Sequence, residues 1–387
     1  MFTKFTKRNL NVLSDLLSAG NSKIFRQFSN MTTTSTTNHD SDALVFAHVI
    51  FRHGHRNALD SFPNDPYEDE AKYWPEGYGQ LTNKGKRQQY QLGQYFRRRY
   101  GKLLGPQYSV DKVYVRSTDF DRCIMSAQAN LAGLFPPTGD QKWSDEILWQ
   151  PIPVHTVPWR MDHVVGTGRP FPRFEAAREK YLKEDPEIQK TLADHADLLK
   201  ELTEKSGEDV KTIADVFYLH NVLWFQKDKN LPLPDWAERA VEPNGIVERI
   251  AESHFKVNTA TPEMARLKSG FLIKEMMERF TSKIFDDLEP DRVLWLYSAH
   301  DETIANMLNS LGLFEQHAPP FACSLHFELY KPNKNEHYMQ IFYRKCNEEY
   351  PEPLKLPGCG DRFTMDQFYD LYEHLIPDEF EKECNLR

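Results

Sequence analysis

The stretch Ala43-Leu-Val-Phe-Ala-His-Val-Ile-Phe51, followed at once by Arg52-His-Gly-His-Arg-Asn57, decides how the rest of the chain is read. The first nine residues are apolar, rich in β-branched side chains and interrupted only by His48. A run this short, bounded by turn residues, reads as a parallel strand buried on both faces. Gly54 then lets the backbone turn tightly and come close to a ligand. Two later stretches repeat the pattern. Lys112-Val-Tyr-Val-Arg116-Ser-Thr118 is a second short strand, with Arg116 near its end. Residues 293–297 form a third, followed by Ser298-Ala-His300-Asp301-Glu302. A helix is expected after each: over Lys84 to Tyr100 with Thr82 as cap, over Arg122 to Leu134 capped by Asp119 or Thr118, and over Glu302 to Leu311. Pro136-Pro137 stops the second of these. Arg97-Arg98-Arg99 reads as a solvated helix face.

Strands alternating with helices indicate an α/β protein with an open, mainly parallel sheet. Ligands bind such sheets outside the carboxyl ends of the strands. Here those ends carry Arg52, His53, Arg56, Arg116, His300 and Asp301. Guanidinium forks match tetrahedral oxyanions and keep their charge at any working pH. A neutral imidazole held by backbone hydrogen bonds is a competent nucleophile toward phosphorus, and a nearby carboxylic acid can protonate a leaving alkoxide. The arginines would neutralise charge as the phosphoryl group moves, so this chemistry calls for no metal and no cofactor. His55 and His53 form a His-x-His pair, but no cluster of acidic ligands accompanies them, and His55 reads as a partly exposed supporting group.

Composition sets the outer bounds. The chain has 387 residues, 40% hydrophobic, 13% aromatic and 27% charged, with a net charge of -9. That length suggests two or three domains, or one large domain with an insertion, and a core that needs no staples. No apolar run approaches a membrane span. The negative charge excludes a general nucleic-acid binder, which would need a basic face. Residues 1–42 are a different material: five basic residues against Asp15 up to position 39, abundant Ser and Thr, and Leu10, Leu13, Leu16 and Leu17 at helical spacing. They read either as a mitochondrial presequence or as a disordered tail, with Met31 as an alternative start.

The motifs together resemble the histidine acid phosphatases, specifically the prostatic and lysosomal acid phosphatase branch. The resemblance runs from about Leu44 to Leu386. It rests on Arg52-His-Gly-x-Arg56, Val115-Arg-Ser-Thr-Asp-Phe-Asp-Arg122, Leu134-Phe-Pro-Pro137, Trp149-Gln-Pro-Ile-Pro-Val-His155, Thr261-Pro-Glu-Met-Ala-Arg-Leu267, Tyr297-Ser-Ala-His-Asp301 and Leu356-Pro-Gly-Cys359. It implies phosphomonoester hydrolysis with His53 as the nucleophile that becomes phosphohistidine. It further implies Asp301 as general acid and Arg52, Arg56, Arg116 and His300 as the phosphate-binding set. An α/β core over 43–160 and 256–387, a mainly helical insertion over 161–255 that shapes the leaving-group pocket, and homodimers are implied as well.

Two departures bear on the setting. Ala58 stands where the family usually has proline. The five cysteines do not reproduce the family's three disulfides: Cys384 matches one half-bridge, but Phe171 stands at the partner position, and the insertion has no cysteine. Cys123, Cys323 and Cys346 read as packing residues. With Asn30-Met-Thr32 as the sole sequon and no anchor after Asp361, the sequence favours an intracellular address, cytosolic or mitochondrial, over the lysosomal or secreted address of relatives. A lysophosphatidate phosphatase, a phosphotransferase on the same chemistry and a catalytically silent phosphate binder remain the alternatives.

Overall fold

The computed structural model describes residues 43–333, 336–345 and 348–384. The expectations for the N-terminal segment, for Cys346 and for Leu386 lie outside the described residues. Six strands form one sheet: β1 (Ala43–Arg52), β2 (Val113–Thr118), β3 (His155–Val157), β4 (Leu294–Ala299), β5 (Ser324–Asn333) and β6 (Glu336–Arg344). The order is β3-β2-β4-β1-β5-β6, parallel from β3 through β1 and antiparallel for the last two pairs. The three strands read from the sequence are therefore adjacent at its centre.

Helices cover both faces, as the buried parallel strands require. On one side, α1 (Asn83–Leu104) and α2 (Asp121–Leu134) pack on Ala47, Val49, Phe51, Val113 and Val115. Thr82 caps α1 as expected, its side chain accepting from the Gly85 N–H. The expected cap of α2 is corrected: Phe120 holds that position, and no side chain caps the helix. Arg99 is also corrected. Its guanidinium forms a two-pronged pair with Glu328 at 2.6 and 2.9 Å, because β5 runs beside this face of α1.

Between β3 and β4 the chain is helical: α3 (Pro172–Glu184), α4 (Pro186–Asp194), α5 (Ala196–Ser206), α6 (Ile213–Asp228), α7 (Asp235–Ala240), α8 (Ile246–Val257) and α9 (Pro262–Ile284). The charged stretch from Phe174 to Leu202 runs through three of these helices: Pro186 begins α4 behind the Asp185 cap, and α5 starts after His195. Helices α5 to α8 gather their own apolar cluster around Val216, Leu223, Phe225 and Ile250. The long α9 packs on the other sheet face with α10 (Asp301–Ser310), against Phe46, Ile50 and Tyr297.

Candidate active site

Sheet order concentrates the chemistry. Arg52 pairs with Ala299 across β1 and β4, and Ser117 with Ser298 across β2 and β4, so three carboxyl ends stand side by side. The chain leaves β1 at His53, whose N–H donates to the Ala299 carbonyl at 2.9 Å. Gly54 is required by close approach: an added Cβ would stand 2.4 Å from the Gly85 carbonyl oxygen of α1. The loop is thereby pressed against the first turn of that helix.

His53 is buried, and its Nδ1 lies 2.8 Å from the Gly54 carbonyl oxygen. A carbonyl only accepts, so Nδ1 carries the proton and Nε2 keeps its lone pair. Burial, followed by the charges of Arg122 and Arg52, holds the imidazole pKa well below its ordinary value. His53 is therefore neutral even in mild acid, as a nucleophile must be.

Arg52 and Arg56 flank it. Arg52 contacts Asp301 at 2.6 Å, donates to the Pro319 carbonyl and lies over the Phe321 ring at 3.9 Å. Arg56 donates to the Asn57 carbonyl at 2.8 Å and to Asn221 of α6 at 3.2 Å. Burial lowers the Arg56 pKa to about 9, which leaves it charged at neutral and acid pH. His300 caps α10; its Nε2 lies 3.0 Å from the Thr118 hydroxyl, and burial lowers its pKa to about 4. Asp301 begins that helix. Burial raises its pKa, but Arg52, Arg56 and His300 outweigh burial and hold it below the ordinary carboxylate range.

One expected site residue is elsewhere. Side chains alternate along a strand. Val113 and Val115 face α1 and α2, so Arg116 faces α9 instead. There it pairs with Asp162 at 2.8 Å and Glu275 at 3.5 Å. The arginine at the site is Arg122, on the first turn of α2, with Nη2 3.5 Å from His300 Nδ1. It lines the same cavity of about 310 Å³ as His53, Arg56, His300 and Asp301. The signal was in the motif already quoted, Arg-Ser-Thr-x-x-x-Arg, whose second arginine follows the strand end by four residues.

His55 also departs from expectation. It is buried rather than partly exposed, with Nδ1 2.8 Å from the Thr82 hydroxyl and Nε2 3.0 Å from Asp228 of α6. Phe225 and Phe321 close over it. Sequence gave no hint of this contact, because Asp228 lies far along the chain.

A family model described as "Histidine phosphatase superfamily (branch 2)" matches residues 43–344. The chain belongs to that superfamily. Rat prostatic acid phosphatase is 36% identical over 345 residues, 88% of this chain and 89% of the relative. Human lysosomal acid phosphatase is 35% identical over 348 residues, 89% of this chain and 81% of the relative. A phytase from Citrobacter braakii shares the fold, with a TM-score of 0.64 at 17% identity over 89% of this chain and all of that one. The activity that accompanies this membership is phosphomonoester hydrolysis, and the protein is an acid phosphatase.

The same relatives overturn the cytosolic or mitochondrial address. Their names point to lysosomal or prostatic settings. Missing bridges are a poor guide to compartment here. Cys384 packs on the aromatic cluster of Phe171, Phe174, Phe271 and Phe380, so apolar contact replaces the bridge at this position. Cys123, Cys323, Cys359 and Cys384 are free, and the first two are buried.

Proposed function

We propose that His53 Nε2 attacks the phosphorus of a bound monoester, giving a phosphohistidine that water then hydrolyses. The observation that carries this is the 2.8 Å contact of His53 Nδ1 with the Gly54 carbonyl, which directs the lone pair away from the loop. Arg52, Arg56 and Arg122 bind the phosphoryl oxygens, with His300 beside them. Their guanidinium groups supply the charge that the transferring group needs. Asp301 protonates the leaving alkoxide. In the free enzyme Arg52 and Arg56 favour its carboxylate; a bound phosphate engages those arginines and releases that hold. The residues from about 161 to 255 form a cap that walls the leaving-group side, which is supported by Phe217 and Tyr218 of α6 lining the cavity. A lysosomal or secreted setting, as in the named relatives, fits an activity that needs a protonated Asp301.

Two copies of the chain associate through the β3 edge. This is supported by Ile147, Leu148 and Trp149, which are exposed just before that strand at 43%, 75% and 39%. Exposed apolar patches of this kind mark association surfaces. Sedimentation tests this: Trp149→Glu is expected to yield monomers.

The central experiment is rapid quench with labelled substrate. An acid-labile, base-stable phosphoenzyme is expected, absent in His53→Ala. A fully active His53→Ala protein overturns the scheme. Chelators are expected to leave the rate unchanged.

A further inference from the structure

The catalytic cavity has a neighbour. A second cavity of about 390 Å³ shares Trp159, Thr167 and Lys268 with the first, so these residues are the wall between the two. A line of rings leads from His300 to that wall. Phe120 meets His300 edge-on at 5.2 Å, and Trp159 meets Phe120 at 4.9 Å. The indole of Trp159 is fixed from behind, since a Cβ on Gly168 would fall 2.1 Å from it.

Lys268, on α9, is the unusual member of this wall. It is a partly buried cation, and burial lowers its pKa. Its ammonium lies 5.1 Å over the Phe174 ring. Among the described residues no carboxylate lies within 4.0 Å of its Nζ. Glu302 attracts it from a distance. That carboxylate is held by His254 and Asn258, each at 3.4 Å. The second cavity is otherwise basic: Arg160 and Arg169 line it against a single acid, Glu175. Arg169 is already committed to Glu381 at 3.0 Å. A cation without an acid partner at the junction of two cavities is placed to meet an anion.

We propose that Lys268 selects phosphomonoesters whose leaving group carries a second anionic group, a phosphate or carboxylate, beyond an apolar or planar body. The body lies along Phe120 and Trp159, and the second anion meets Lys268 at the mouth of the basic cavity. This rests on the phosphatase reading above and names the substrate class of that same site. Lys268 is a specificity residue, since it faces the leaving group rather than the reacting atoms.

The test is a molecular ruler. Alkanediol bisphosphates of three to eight carbons are compared with the ω-hydroxy monophosphate of the same length, on wild type, Lys268→Met and Lys268→Arg. At one favoured length the bisphosphate KM is expected to be about tenfold lower or more, the scale of a charge-assisted hydrogen bond. Lys268→Met erases that difference, while Lys268→Arg retains it. Equal KM values at every length overturn the proposal. So does a Lys268→Met protein that loses kcat on all substrates alike, which marks a structural lysine. If wild type hydrolyses neither series nor p-nitrophenyl phosphate, the phosphatase reading itself falls and takes this proposal with it.

Discussion

Exchanging the two arginines of Arg116-Ser-Thr-Asp-Phe-Asp-Arg122 for glutamine, one at a time, separates site from scaffold. Arg122 lines the catalytic cavity, 3.5 Å from His300, and its charge is the largest after burial in keeping His53 neutral. Loss of one charge-assisted contact to a phosphoryl oxygen is worth about 1.5–3 kcal/mol, or roughly 10- to 150-fold in kcat/KM. The loss exceeds this range if the guanidinium gains contact as the transition state forms. Arg116 is a partner in a buried pair, with its own side chain 12% exposed and that of Asp162 1% exposed. Removing one partner of such a pair costs about 3–5 kcal/mol. Asp162 keeps backbone N–H donors from Val164, Val165 and Gly166 at 3.0, 3.1 and 2.8 Å. The loss is therefore nearer ~2–3 kcal/mol, which lowers Tm by several degrees. Steady-state kinetics on p-nitrophenyl phosphate and a thermal melt are run on both variants. Arg122→Gln is expected to lose kcat/KM with Tm nearly kept, and Arg116→Gln to lose Tm with kcat within a few fold. An Arg116→Gln protein as inactive as Arg122→Gln, with an unchanged melt, refutes the assignment.

Other outcomes follow from the same geometry. Asp301→Asn is expected to slow alkyl phosphates far more than p-nitrophenyl phosphate, because a poor leaving group needs the proton; a Brønsted plot of equal slopes removes Asp301 from the acid role. Gly54→Ala drives a Cβ into the Gly85 carbonyl, where backbone cannot yield, and is expected to destabilise by about 1–3 kcal/mol and abolish turnover. His326 is buried with its pKa held well below 6.5 by burial and then by Arg99 and Arg344. The unfolded chain therefore takes up that proton first as pH falls below about 6.5, so stability drops on acidification. A His326→Gln protein is expected to show a shallower fall of Tm from pH 7 to 4.5; coincident slopes count against buried neutral histidines as the cause.

The local text of the chain carried a large share of this. An apolar run ending in Arg-His-Gly-x-Arg reads as strand and ligand-binding turn because both are set by nearest neighbours: burial of β-branched side chains and the freedom of one glycine. His53, Arg52, Arg56, His300 and Asp301 follow at once, since each adjoins a strand end. Arg116 misled because a strand's period of two says which residues share a face, but not which face the ligand meets. His55 misled for a related reason: its exposure depends on Asp228 and Phe225, far along the chain.

By itself the sequence determined the elements, the residue types at the strand ends and the oxyanion chemistry they allow, all of which depend on residues close together in the chain. Tertiary structure alone decided which arginine reaches the cavity, what buries His55, and that Trp159, Thr167 and Lys268 divide two chambers. The physical reason is common to all three. Sheet order and helix packing bring together residues more than a hundred positions apart, and only there do charge and burial act on one another.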